Sequence, residues 1–156
     1  MEAGYEIACF SDSHRVAAFM RNAVFDHPEA DAVIFLGDGE RDFEEIENML
    51  QGKRIIKVCG NCDFGSSLPV NQLVEFAGVK VFCSHGFAEQ VKFGDEMLCE
   101  KAKSLGARIA LYGHTHKAVT DFRDGLYIMN PGSAAYGSYG IVDITPKGII
   151  CITASL

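Results

Sequence analysis

Ile109-Ala110-Leu111-Tyr112-Gly113-His114-Thr115-His116 sets the reading of the rest of the chain. Its apolar half is short enough for a buried strand, and a glycine with two histidines one residue apart follows at once. A hydrophobic core has no use for that ending. Moving outward, the same construction recurs four times. Residues 7–10 precede Asp12-Ser13-His14, 32–36 precede Gly37-Asp38, 55–58 precede Gly60-Asn61-Cys62-Asp63, and 79–83 precede His85-Gly86. Strand ends are where α/β proteins assemble sites. Of five histidines, His14, His85, His114 and His116 lie in these clusters and only His27 does not, so the imidazoles concentrate where strands should stop.

Amphipathic stretches fill several gaps between the runs. Val16, Met20, Ala23 and Val24 follow helical spacing; Phe43, Ile46 and Leu50 do so again, with Asp42 and Glu45 as a cap-like pair and Gly52 as a stop; Leu98, Ala102 and Leu105 mark a third helix closed by Gly106. From about residue 119 the pattern changes to strands joined by tight turns. Asp124-Gly125 separates 119–123 from 126–130, and Pro146-Lys147-Gly148 separates 139–144 from 149–154, which predicts a second, mainly antiparallel sheet. Ala77-Gly78 turns a further hairpin, from 73–76 into 79–83. With no repeat or linker in view, residues 1–156 are expected to form one α/β domain of two packed sheets flanked by helices.

Composition narrows the function. A formal charge of −7 speaks against a broad basic face for a nucleic-acid backbone, and no apolar run approaches the ~18 residues of a membrane span. The start, Met-Glu-Ala-Gly-Tyr-Glu, lacks a signal peptide's basic and apolar pattern, so a cytoplasmic location is expected. Cys9, Cys59, Cys62, Cys83, Cys99 and Cys151 then read as reduced thiols. Cys59-Gly60-Asn61-Cys62 also fits a redox or zinc pair, but no second pair and no helix directly after it support that.

Two carboxylates, one carboxamide and four imidazoles make a mixed oxygen and nitrogen set, suited to Mn²⁺, Fe, Ni²⁺ or Zn²⁺ and poorly suited to Ca²⁺. Seven ligands, Asp12, His14, Asp38, Asn61, His85, His114 and His116, exceed what one tetrahedral ion accepts and suit two ions sharing a carboxylate. The glycines beside Asp38, Asn61, His85 and His114 are expected to let the backbone turn sharply off each strand. Singly, Asp-x-His or Gly-Asp is an ordinary loop or turn. The specificity lies in their order.

That order resembles the calcineurin-like metallophosphoesterase superfamily: Asp-x-His, Gly-Asp, Gly-Asn-x-Asp, His, then Gly-His-x-His, from residue 6 to about 133. The short chain, Gly60-Asn61-Cys62-Asp63 and Asn130-Pro131-Gly132-Ser133 resemble its small bacterial and archaeal phosphodiesterase branch. The resemblance implies a four-layer αββα sandwich of two mixed sheets with the metals at the C-terminal ends of the strands. It implies two divalent ions, Mn²⁺ first and Ni²⁺, Fe²⁺ or Zn²⁺ as alternatives. Asp12, His14 and His116 would bind one, Asn61, His85 and His114 the other, with Asp38 bridging. A metal-bound hydroxide would attack a small phosphate ester in line, a diester before a monoester, with Asp38, Asn61 and His85 acting through the metals. Cys62 stands where many relatives carry His, and Phe87 where some repeat one, so Cys62 and Asp63 are assigned to the leaving-group side or to a supporting shell. Local sequence makes Asn130-Pro131-Gly132-Ser133 an ordinary turn and leaves residues 136–139 as a loop or a homo-oligomer contact. The alternative is a protein-binding scaffold of the same fold, like the retromer subunit.

Overall fold

The computed structural model describes residues 4–156; the first three residues of the N-terminal segment and of the expected domain lie outside the described residues. Ten strands alternate with three α-helices. The first sheet has the order β10-β9-β1-β2-β3 and the second β4-β5-β6-β8-β7. In the first, β1 (Tyr5–Phe10), β2 (Ala32–Phe35) and β3 (Arg54–Lys57) run parallel, with β9 (Ser138–Thr145) and β10 (Gly148–Ser155) antiparallel beside β1. In the second, β5 (Val79–Ser84), β6 (Ile109–Leu111) and β8 (Leu126–Asn130) are parallel, flanked by antiparallel β4 (Asn71–Phe76) and β7 (Val119–Arg123).

Period-2 alternation decides the layers. Ile7 and Cys9 of β1 face an inter-sheet core with Ile34, Val81, Ile109, Met129 and Val142. Ala8 and Phe10, the alternate residues, pack with Met20, Val24 and Phe43 from helices α1 (Ala18–Asp26) and α2 (Glu40–Ile46). On the far side Phe82, Ala110 and Ile128 pack with Leu98 and Ala102 of α3 (Glu96–Ser104). Where β1, β2 and β6 are buried on both faces, residues 7–10, 32–35 and 109–111 are apolar throughout, whereas the edge strand β3 and β5 admit Lys57 and Lys80. The result is the expected αββα sandwich.

Two expectations need correction. The C-terminal hairpins do not form a sheet of their own: β7 and β8 extend the second sheet while β9 and β10 join β1 in the first. A hairpin fixes its own pairing, whereas the sheet it joins depends on which edge has an exposed ladder and matching apolar face. Asp42 does not cap α2 either. The N-cap is Gly39, with no side-chain cap, and Asp42 instead accepts hydrogen bonds from Ser13 Oγ (2.6 Å) and Arg15 N–H (2.8 Å), tying α2 to the Asp12-Ser13-His14 loop.

Candidate metal centre

All five clusters leave the C-terminal ends of β1, β2, β3, β5 and β6, and the parallel arrangement brings those ends to one edge of the sandwich. Gly113 N–H donates to His85 O (2.9 Å) and Asp12 N–H to Gly37 O (2.9 Å), so neighbouring strand-end loops are pinned to each other.

The side chains fall into two triads. In the outer one, His14 Nε2 and His116 Nε2 are 3.2 Å apart and each is 3.3 Å from Asp12 Oδ1. In the inner one, Asp38, His85 and His114 offer ligand atoms within 4.8 Å of one another, with His85 Nε2 3.2 Å from Asp38 Oδ2. The triads meet through the carboxylates: Asp38 Oδ2 is 3.8 Å from His14 Nε2, and Asp12 Oδ1 is 3.9 Å from His85 Nε2.

The donor set fits divalent transition ions. Two bonds of about 2.1 Å at angles between about 90° and 110° hold their ligand atoms roughly 3.0–3.4 Å apart, the spacing of the outer triad. In the inner triad, buried His85 donates Nδ1–H to Leu36 O (2.7 Å), which leaves Nε2 as the lone-pair nitrogen. That nitrogen is buried with no hydrogen-bond partner, since its contact with Asp38 is not aligned as a bond. A buried acceptor without a donor is costly, and an ion would satisfy it.

Electrostatics follow the packing. Burial works to raise Asp38, but the adjacent His85 imidazole and the Cys62 N–H outweigh it and hold the carboxyl at about 2. His85 moves the other way: burial lowers it, and the nearby carboxylates of Asp38 and Asp12 more than compensate, raising it. His114 is lowered by burial and by His85 beside it.

The backbone carries a mark that the sequence hid. Asp12, His14, Asp38, His114 and His116 all have φ between +39° and +70°, a region non-glycine residues seldom occupy. Such strain persists where surrounding structure enforces it. The expected role of the glycines is right only in part. Gly37 and Gly86 have φ of +102° and +106° and do turn, whereas Gly60 and Gly113 are not among the positive-φ glycines. At those two the missing Cβ is a matter of space: one on Gly60 would run into the Asp38 side chain, and one on Gly113 into Ser11 Oγ.

Several supports escaped the sequence reading. Asp12 Oδ2 accepts from Ser11 Oγ (2.6 Å) and His114 N–H (2.9 Å), and its carbonyl accepts from Ser133 Oγ (2.7 Å). Asn130 Nδ2 donates to Gly113 O and Thr115 Oγ1, both at 3.0 Å. Asn130-Pro131-Gly132-Ser133 is therefore a brace behind the site and no ordinary turn. Asp63 is another brace: Oδ2 takes the N–H groups of Asp38 and Gly60 (2.8 Å each), and Oδ1 those of Gly39 (2.9 Å) and Glu40 (3.0 Å). Its four acceptor bonds tie these loops together. Cys62 is exposed; its N–H donates to Asp38 Oδ1 (2.7 Å) and its Sγ lies within 4.8 Å of ligand atoms of His14 and Asp38. Asn61 borders a small cavity with His85, and its amide nitrogen is 3.6 Å from Cys62 Sγ. Cys59 and Cys62, like the other four cysteines, are free thiols. His27 lies elsewhere, with Nε2 3.0 Å from Tyr139 OH.

Two sheets with helices outside, and carboxylates and imidazoles gathered in adjoining triads at one edge, have the build of a metallophosphoesterase. The chain belongs to the calcineurin-like phosphoesterase superfamily, whose domain matches residues 5–146. Over 128 residues it is 29% identical to the probable metallophosphoesterase YsnB of Bacillus subtilis, an alignment covering 81% of this chain and 73% of that one. A predicted phosphoesterase from Streptococcus pneumoniae has the same fold at TM-score 0.79 and 24% identity, over 99% of this chain and 100% of that one. So does an archaeal phosphodiesterase, at TM-score 0.74 and 24% identity, over 96% and 99%. Vps29 of Entamoeba histolytica, solved with Zn²⁺, shares it at TM-score 0.69 and 20% identity, over 96% and 98%. Among the described residues no helix is long and apolar enough to cross a membrane.

Proposed function

We propose that the chain, taken as one domain, is a two-metal phosphodiesterase acting on small phosphate diesters. Asp12, His14 and His116 would hold one ion and Asn61, His85 and His114 the other, with the Asp38 carboxylate serving both. The observation that carries this reading is the meeting of two triads through Asp12 Oδ1 and Asp38 Oδ2 around an unpartnered, buried His85 nitrogen. Ions bound there supply Lewis-acid polarisation of the phosphoryl oxygens and a water acidic enough to serve as nucleophile near neutral pH.

The chain's own residues do the rest. Asp38, held at about 2, stays anionic throughout the working range and offsets the positive charge gathered beside it. Leu36 O fixes the His85 tautomer, and Ser11 and the His114 N–H fix the Asp12 carboxylate, so little reorganisation is needed when substrate arrives. Cys62 is the side chain nearest to a leaving-group role, since its Sγ shares the space of His14 and Asp38. Mn²⁺ is the expected ion, because oxygen and imidazole ligands without thiolate suit it.

The fold shared with Vps29 supports a second reading, a protein-binding scaffold. One experiment separates them. Turnover of bis(p-nitrophenyl) phosphate should appear with Mn²⁺, vanish on exhaustive chelation and return when Mn²⁺ is restored. Metal-bound protein without turnover of any phosphate ester would favour the scaffold.

A further inference from the structure

Beside the inner triad the surface is apolar where a phosphate site needs no apolar wall. Phe87 and Val70, each 59% exposed, line a cavity of about 70 Å³ with Ala88, Asn61 and His85. The Phe87 ring stands edge-on to His114, with centroids 5.5 Å apart and planes at 89°. Large apolar side chains left in water beside a polar cleft mark a place where a ligand covers them.

Phe87 is also held in place. It sits in a turn anchored by the buried pair Ser84 and Glu89, with Ser84 Oγ donating to Glu89 Oε1 (2.6 Å) and Gly86 N–H donating to Ser84 Oγ (3.1 Å). Val91 N–H closes the turn on Gly86 O (3.2 Å), and buried Val91 fills the space a Gly86 side chain would take. An anchored turn loses little backbone freedom on binding, which favours a contact surface.

We infer that Phe87, with Val70 and Ala88, is a specificity subsite for a planar apolar group, aryl or nucleobase, carried by the phosphate ester. The cavity is about half of the roughly 150 Å³ that encloses a benzene ring. It therefore takes the edge of a ring, and the Phe87 side chain covers what remains outside. An alkyl group fills the notch without using the Phe87 face. His85, a member of the inner triad, also lines this cavity and puts the subsite next to that triad, so the inference rests on the phosphodiesterase reading for its substrate and on geometry alone for its chemistry.

Phenylphosphonate and methylphosphonate provide the test, because neither has a leaving group and both are dianions at sufficiently high pH. Calorimetry on the Mn²⁺-loaded protein should give about ten-fold tighter binding of phenylphosphonate, as aromatic contact and apolar burial add. Phe87→Ala should reduce that ratio below about two-fold and Phe87→Tyr should keep it, with metal content equal to wild type in both. Equal binding of the two phosphonates by the wild type, binding of neither, or a preference that survives Phe87→Ala overturns the subsite. Preference for phenylphosphonate without turnover of any ester leaves the subsite standing and removes the enzyme reading. Turnover of bis(p-nitrophenyl) phosphate with equal phosphonate binding does the reverse.

Discussion

The inner and outer triads sit side by side and use the same residue types, yet they are built to different tolerances. His85 and Asp38 of the inner triad are 2% and 3% exposed, whereas His14 and His116 of the outer triad are 33% and 41% exposed. Leu36 O orients His85, and Cys62 N–H and the Asp63 clamp orient Asp38. The rings of the outer pair rest on each other and on Asp12, with Asp38 Oδ2 farther off at 3.8 Å from His14 Nε2. The lesson is that rigidity at this edge is supplied from the inside out. The outer triad borrows its order from Asp12, the one member of it that is fully buried.

Breaking the shared element should therefore have the largest effect. On the two-ion reading, Asp38→Ala should lower occupancy at both positions and turnover by about 10³-fold or more, since one anion offsets both charges. Metal analysis after gel filtration, with circular dichroism to confirm folding, checks this, and full occupancy in the variant would refute the shared role. A contrast between triads comes next. His85→Ala should empty the inner position and cost the metal-free protein about 1–3 kcal/mol, because it hollows a buried site. His116→Ala should weaken the outer ion while changing metal-free stability by no more than ~0.5 kcal/mol, as exposed positions do. Equal stability losses in urea melts would erase the difference drawn between them. The smallest effect belongs to the brace. Ser133→Ala should weaken the outer ion about ten-fold and cost about 1 kcal/mol, because the Asp12 carbonyl keeps a second bond from Ala135 N–H at 3.2 Å. A loss of the inner ion instead would show that the triads are not braced separately.

Much of this was legible in the chain. The apolar runs announced β1, β2 and β6 because strands buried on both faces leave no room for polar alternation, β3 and β5 were legible despite Lys57 and Lys80, and the abrupt switch to Asp, Asn and His announced the strand ends. What stayed hidden was what depends on distance. Ser11, Asn130 and Ser133 are common turn residues, and nothing local tells a solvated Ser from one bonded to a carbonyl 121 positions away. Asp42 misled for the same reason: beside Glu45 it looks like a cap, and only the approach of Ser13 gives its oxygens other work. The left-handed φ of five candidate ligands was invisible too, since Asp and His lack the signature by which glycine advertises such a conformation.

The hydrogen bond from Ser133 to Asp12 also orders events in time. Asp12 is synthesised 102 residues before the His114 N–H and 121 before the Ser133 hydroxyl, the groups that aim its oxygens. Closing a loop of that length costs entropy that only the packed sandwich returns. A nascent chain released short of β8 thus has Asp12, His14 and Asp38 without a cradle, and an ion that stabilises only the folded state cannot help it get there. On the metal-binding reading, loading is a late step, a seal on a finished fold.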